Sequence, residues 1–362
     1  MTLNPGSENP LESAVLAALS GITVGEDGPD VVSAGHVAGV VATGGAVRVL
    51  LDPQLVGGED GEALAEIMRQ VVGAVPGVER VIVKPRPQSI TPVLAQAPGL
   101  VLAIHSGKGG VGKSTLAVNL AAALAHGAAG RPLRVGLLDA DVYGPSVPLL
   151  LGVSRRAEAL EGNNRIAPVM AHGMKVMSLG FLMPAGKALA WRGALVTEGL
   201  PQLIADVEWG ELDVLVVDLP PGTSDVHLAL AQAVPIAGVV AVTAPGQIST
   251  DDVRRGLEMF ADIAVPCLGL IENMSTVVCR KCGTELALFG AEGGAELERE
   301  TGLPLLARIP FLREVLLASE SGTPMVLAQP DAPYSQLITG LARQLADALS
   351  AEMKGAAQWQ PN

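Results

Sequence analysis

The run Gly107-Lys108-Gly109-Gly110-Val111-Gly112-Lys113-Ser114-Thr115 carries the most specific chemistry in this sequence. It fits the pattern G-x-x-x-x-G-K-[ST], in which glycines let the backbone curl so that successive N–H groups face phosphate oxygens. An apolar run, Leu100 to His105, precedes it as a strand, and Leu116 to Ala125 follows as a helix whose N-terminus adds partial positive charge. Lys113 is expected to reach the β- and γ-phosphates of a nucleotide and Ser114 to ligate Mg2+.

A magnesium nucleotide also calls for a carboxylate at the end of a neighbouring strand. Val214-Leu215-Val216-Val217-Asp218 supplies one, because four apolar residues ending in an acid describe a buried strand emerging at a phosphate site. Pro220, Pro221 and Gly222 then make a stiff turn placed to sense a γ-phosphate. Leu137-Leu138-Asp139-Ala140-Asp141 brings two more acids to the same sheet edge, with helix capping or solvation of a strand end as the alternative use of Asp139 and Asp141.

A second constellation is Cys279-Arg280-Lys281-Cys282. It places two of only three cysteines at the spacing that lets both thiolates grip one metal centre. Iron-sulfur clusters and structural zinc usually take four cysteines, so two subunits each contributing one pair would complete the set. Cys267 lies in an apolar strand and reads as a buried structural thiol. A thioredoxin-type redox pair opens a helix after a strand, whereas here Gly283 follows at once. His105 reads as a packed strand residue, since no Ser or Cys nucleophile partners it in sequence. Trp191-Arg192-Gly193 suits an interface anchor or a Trp-Arg pair stacked on the surface.

These groups need elements to hold them. From Leu100 onward, short aliphatic runs alternate with helical stretches, the pattern of a parallel sheet covered by helices on both faces. The strands are expected at Leu100 to His105, Arg134 to Asp139, Lys175 to Leu179, Val214 to Asp218, Gly238 to Thr243, Cys267 to Glu272 and Leu305 to Ile309. Ahead of them, Leu11 to Lys84 reads as a small α/β unit: a helix (Leu11 to Leu19), two extended runs (His36 to Val41, Val47 to Leu51), a helix (Ala63 to Val72) and a strand (Val78 to Val83). Residues 85–98 carry four prolines and read as a linker. The expected domains are therefore 11–84 and 99–353, with a fraying tail after Met353. Leu337, Leu341, Leu345 and Leu349 form a packing stripe on the last helix, whose other face has only Arg343 and Lys354 for a membrane surface.

Composition narrows the partners. The 362 residues are 49% apolar, with only four Phe, two Tyr and three Trp, so the core is aliphatic and base-stacking platforms are scarce. A formal charge of -13 repels phosphate backbones and anionic lipid, which argues against nucleic acid and membrane partners. Three cysteines are too few for a disulfide framework, and Met1 to Pro10 lacks a signal-peptide pattern. No apolar window approaches the roughly 18 residues needed to span a bilayer. A soluble, cytoplasmic protein is expected.

With these residues in view, the chain resembles the MinD/ParA/Mrp class of P-loop ATPases, whose deviant Walker A motif is marked by an extra lysine, here Lys108. Asp218 to Asp225 (Asp-Leu-Pro-Pro-Gly-Thr-Ser-Asp), Trp191-Arg192-Gly193, and Glu272-Asn273-Met274-Ser275 followed by Cys279 and Cys282 look like the Mrp/ApbC iron-sulfur cluster carriers within that class. The N-terminal unit is similar to a small iron-sulfur-assembly-associated domain. The resemblance implies a homodimer in which Lys108 reaches the partner's nucleotide, Asp141 positions the attacking water, Asp139 lies close to the magnesium and Asn273 reads the adenine edge. It also implies that Cys279 and Cys282 of both subunits share a labile [4Fe-4S] cluster, received from upstream assembly factors and passed to apo iron-sulfur proteins at the expense of slow ATP hydrolysis. The chain departs from the family at Val24-Gly25-Glu26, where Asp-Pro-Glu is usual, and at Ala194, where Trp-Arg-Gly is usually followed by Pro. Two further readings share these residues: a MinD- or ParA-like positioning ATPase, and an ATPase dimer with structural zinc between its cysteine pairs.

Overall fold

The Asn9 side chain accepts a hydrogen bond from the Leu11 amide (3.1 Å) and Pro10 occupies the first helical turn, so the earliest described element is a capped helix. The computed structural model describes residues 9–23, 28–43, 45–52, 59–85, 98–141, 144–154, 156–160, 165–181, 193–279 and 281–358. They belong to two compact units.

The first unit runs α1 (Pro10–Leu19), β1 (Val37–Thr43), β2 (Ala46–Leu51), α2 (Glu59–Gly73) and β3 (Arg80–Pro85). Its sheet has the order β1-β2-β3, with β1 and β2 antiparallel and β2 and β3 parallel. Alternate residues of β2, Val47, Val49 and Leu51, are buried in one apolar cluster with Val15 and Leu19 of α1 and Met68 and Val72 of α2. The element sequence is the expected one. Pro85, read as the start of a linker, is instead the last residue of β3, since proline is tolerated where a strand ends. Residues 86–97 and the Val24-Gly25-Glu26 departure lie outside the described residues.

The second unit continues with β4 (Leu100–Ser106), α3 (Lys113–Ala125), β5 (Val135–Asp139), α4 (Val147–Leu150), β6 (Val169–Ala171), β7 (Met174–Ser178), α5 (Gly193–Asp206), β8 (Val214–Asp218), α6 (Asp225–Ala233), β9 (Ile236–Thr243), α7 (Gln247–Asp262), β10 (Cys267–Asn273), β11 (Val277–Val278), β12 (Glu285–Leu286), α8 (Gly293–Thr301), β13 (Leu305–Ile309), α9 (Arg313–Glu320), α10 (Met325–Ala328) and α11 (Pro333–Gln358). Eight strands form one sheet in the order β13-β10-β9-β4-β8-β5-β7-β6, parallel but for the antiparallel β6–β7 edge pair. Neighbouring residues of one strand enter different cores. Ala241 and Leu270 pack in a cluster with Val253 and Leu257 of α7 and Leu297 of α8, while Val240 and Ile271 join the main cluster with α3 and α11. Helices thus cover both faces, which is why the strands read as continuous apolar runs.

All seven expected strands of this unit are present. Two features were not expected, namely edge strand β6 and the hairpin β11–β12. On α11, Leu341, Leu345 and Leu349 are buried and Leu337 packs against the same core, as the stripe implies. The tail expected to fray after Met353 is helical to Gln358, because Lys354, Ala356 and Ala357 are good helix formers. Among the described residues no helix is long and apolar enough to cross a membrane.

Candidate functional site

Parallel strands deliver their C-terminal ends to one edge, and a ligand crevice opens where the chain leaves a central strand toward both sides. Here β4 is that strand, with β8 on one side and β9 on the other. Leaving β4, the chain turns through Gly107 to Gly112 and enters α3 at Lys113. Gly110 and Gly112 both have φ +84°, a left-handed conformation that a side chain would strain, and a Cβ on Gly112 would lie 2.3 Å from Asn273 Nδ2. No side chain caps α3, so its first amides remain free to meet an anion.

Lys113 is buried at the centre of this crevice. Its Nζ lies 2.6 Å from Asp218 Oδ1 and 3.4 Å from Ser114 Oγ. Asp218, fully buried at the end of β8, is aligned in register with Ile104 of β4 and Asp139 of β5. Burial raises the Asp218 pKa and the Lys113 ammonium works against that rise. Its second oxygen, Oδ2, is buried and has no hydrogen-bond partner among the described residues. An orphaned buried carboxylate oxygen beside the Ser114 hydroxyl is a suitable donor set for Mg2+, which takes one or two protein oxygens and fills the rest of its shell with phosphate and water.

The other acids behave differently. Both Asp139 oxygens are engaged: Oδ1 accepts from the Asp141 amide (3.2 Å), and Oδ2 accepts from the Val147 amide (3.2 Å) and the Ser178 hydroxyl (3.1 Å). Burial, and after it the Asp218 carboxylate, push the Asp139 pKa up to about 7. Its contacts are those of a carboxyl that holds the loop between β5 and α4, the capping role weighed for it from sequence. Asp141 is half-buried just past β5, accepting from the Gly144 amide (3.3 Å). Lys108 is 43% exposed, and its Nζ is 3.7 Å from Asp252 Oδ2 on α7, a carboxylate that Arg255 also pairs at 3.1 Å.

Asn273 ends β10 and donates from Nδ2 to the Val111 carbonyl (2.8 Å), so it sits on the phosphate loop. A cavity of about 280 Å³ opens beside it, lined by Thr115, Leu116, Pro310, Phe311 and Tyr334 among others. A mostly apolar lining that includes the Asn273 amide suits a purine. A larger cavity, about 860 Å³, lies at the opposite edge of the sheet by Leu100, Val214 and Ile236, away from these acids.

The cysteine pair occupies the turn of the β11–β12 hairpin. The Cys279 amide donates to the Thr284 carbonyl (2.9 Å) and the Gly283 amide to the Cys279 carbonyl (2.8 Å). Cys282 Sγ is 3.2 Å from Thr284 Oγ1, and this hydroxyl, the Thr284 backbone and the Cys279 thiol together lower the Cys282 pKa. Cys279 and Cys267 are half-buried and Cys282 exposed; Cys267 starts β10, and desolvation of its thiol pushes the pKa up to about 12. Two thiols make half of a tetrahedral set. The hairpin joins the body through the Ser275 amide to the Ile309 carbonyl (2.9 Å) and the Phe311 amide to the Thr276 carbonyl (2.8 Å). Val278, Leu286, Leu288 and Phe289 are exposed around it.

The structure therefore gathers Gly107 to Thr115, Asp139, Asp141, Asp218 and Asn273 at one sheet edge, with Cys279 six residues beyond Asn273. Trp191 and Arg192 lie outside the described residues. Ser178 and Thr284 belong to the site and were not singled out from sequence; a hydroxyl two residues after the second cysteine was the one available signal for Thr284.

A family model described as an NUBPL iron-transfer P-loop NTPase matches residues 99–346, and one described as an iron-sulfur cluster assembly protein matches residues 12–83. The iron-sulfur cluster carrier protein of Deinococcus radiodurans is 38% identical over 342 residues, covering 94% of this chain and 96% of that protein. Among solved structures, the nucleotide-binding protein of Archaeoglobus fulgidus in complex with ADP is 33% identical with a TM-score of 0.54, covering 65% of this chain and 90% of the other. The septum site-determining protein MinD of Pyrococcus horikoshii, complexed with Mg-ADP, shares the fold at 20% identity and a TM-score of 0.52, covering 70% and 98%.

Proposed function

The chain belongs to the iron-sulfur cluster carrier family of P-loop NTPases, and from that membership we propose that it is a slow ATPase that binds a labile [4Fe-4S] cluster and hands it to apoproteins. The observation that carries this reading is the shared strand end: β10 delivers Asn273 to the phosphate loop and continues directly into the cysteine hairpin. Nucleotide and cargo are then served by one stretch of backbone.

In this reading the amides of Gly107 to Gly112, with Ser114 and Thr115 at the start of α3, cradle the phosphates of ATP, and Asn273 meets the adenine in the adjoining cavity. Lys113, which pairs with Asp218 at 2.6 Å, turns to the β- and γ-phosphates. Ser114 and Asp218 would hold Mg2+, which neutralises charge on the phosphates. Asp139 keeps the loop after β5 in place, and Asp141, at that loop's start, orients the attacking water. Lys108 contacts the nucleotide of a second copy in a homodimer, and Cys279 and Cys282 of both copies provide the four thiolates of the cluster. The partners are upstream assembly factors and apo iron-sulfur proteins, with no role for nucleic acid or membrane.

Anaerobic reconstitution with iron and sulfide tests the cargo. A broad visible absorbance should appear in the wild type, disappear in Cys279→Ala and Cys282→Ala, and move to an added apoprotein. Persistence of the chromophore in both variants refutes the site, and one tightly held zinc per dimer without iron after anaerobic purification replaces the cluster with a structural metal.

A further inference from the structure

Beside the phosphate loop lies a buried pair of imidazoles that the proposed reaction does not use. His105 precedes Ser106 at the end of β4, and His227 lies in the first turn of α6; both are fully buried. His105 Nδ1 is 3.3 Å from His227 Nε2. On its other side, His227 Nδ1 lies within 3.1 to 3.2 Å of the Ser224 hydroxyl, carbonyl and amide. The ring thus holds the Ser224 end of the Pro220–Ser224 segment and ties it to β4 through His105.

That segment follows Asp218 and runs along the phosphate loop. The Leu219 amide donates to the Ile104 carbonyl (3.1 Å) and the Gly222 amide to the Ser106 carbonyl (2.8 Å), while Ser106 Oγ donates to the Lys108 carbonyl (3.0 Å). A Cβ on Gly109 would lie 3.9 Å from Pro221 Cγ, so the two loops are neighbours. The imidazole pair is backed by hard packing. A Cβ on Gly256 of α7 would come within 2.0 Å of His105 Nε2, and the Phe260 ring stands edge-on to both imidazoles at 5.2 and 5.8 Å. Burial first, and for both rings the nearby Lys113 ammonium as well, hold them neutral, with pKa values pushed down to about 3 for His105 and about 4 for His227. His227, a neutral imidazole with contacts at both nitrogens, is a rigid strut, while His105 Nε2 has no hydrogen-bond partner among the described residues and its ring is held by packing.

We propose that His227, braced by His105, is a positioning residue for ATP hydrolysis, fixing the Pro220–Ser224 segment against β4 at the height where a γ-phosphate would end. This rests on the ATPase reading and deepens it, because the strut bears on the segment after Asp218 and leaves the loop that binds the remaining phosphates to its own amides. Loss of the strut therefore acts on turnover more than on binding.

The test uses the full chain with Mg-ATP and the variants His227→Asn, His105→Asn and the double variant. Asn at 227 can keep the contacts made by Nδ1 to Ser224 but cannot reach His105. Steady-state kcat and KM, ADP affinity and thermal melting are measured for each. The expected result is a fall in kcat of about tenfold or more in each single variant with KM and ADP affinity within about twofold, and no further loss in the double variant. Wild-type kcat in folded single variants, losses that multiply in the double variant, or KM rising in step with the fall in kcat would each overturn the proposal. So would unfolding of both singles, since the pair would then serve the fold alone. A wild type without turnover overturns the ATPase reading itself, a result distinct from unchanged variants beside an active wild type.

Discussion

At the scale of single residues, Lys113 and Asp218 satisfy one another across 2.6 Å, and this makes their substitution informative. Lys113→Ala should abolish nucleotide binding in an equilibrium titration. It also leaves a buried carboxylate without its cation, so stability should fall by up to about 3–5 kcal/mol. Asp141→Ala should bind nucleotide as the wild type does and turn over more slowly; equal loss of binding would make Asp141 part of the pocket. Asp139 offers a test by pH. Its folded pKa of about 7 lies above the ordinary 3.8, so between those values the unfolded chain gives up a proton that the folded one keeps. The stability contributed is full below about pH 4, is lost as pH rises to about 7, and is flat beyond. Asp139→Asn stays neutral, so its melting temperature should gain on that of the wild type across this window and then run parallel. A difference constant in pH would mean that the folded protein holds Asp139 ionised throughout.

Elements differ in how openly the chain declares them. Strands β4, β5 and β8 are buried on both faces, so each reads as an unbroken aliphatic run, and the buried acids that close β5 and β8 mark the sheet edge that faces the phosphate loop. The phosphate loop is legible because its chemistry is local. What stayed hidden was either too short to show a period or dependent on a partner distant in sequence. β6 is three residues long and β11 and β12 two each, and they are strands only by pairing. His105 was rightly read as packed, but its partner stands 122 residues away. The engagement of Asp139 with Ser178 was invisible for the same reason, since the hydroxyl comes from β7. The hairpin yields its own prediction. Thr284 is the largest cause of the lowered Cys282 pKa, so Thr284→Val should move the pH midpoint of Cys282 alkylation upward in the apoprotein, read in a Cys279→Ser background. An unchanged midpoint would show that the hydroxyl does not favour the thiolate.

For the whole molecule, charge sets the terms of assembly. Two chains of net charge -13 repel, and screening over roughly 8 Å at physiological salt relieves only part of that, so a homodimer needs specific cross-contacts. Lys108 is suited to one, because its present partner Asp252 is shared with Arg255 and the pair is exposed enough to open at little cost. A charge-assisted contact to a second chain's phosphates is worth about 1.5–3 kcal/mol. Lys108→Ala should therefore keep most of its ATP affinity yet weaken ATP-dependent dimerisation by about tenfold or more in analytical ultracentrifugation, and slow cluster transfer. Parental dimerisation and transfer rates would remove the cross-subunit role. The cysteine hairpin, finally, stands outside all three apolar cores and is built on a two-rung ladder. Damage there is consequently cheap. Under the proposed function, a peroxide pulse that strips the cluster and oxidises the thiols to a reversible level would leave the P-loop body folded, so a reductant and a fresh cluster would return the same molecule to service without new synthesis.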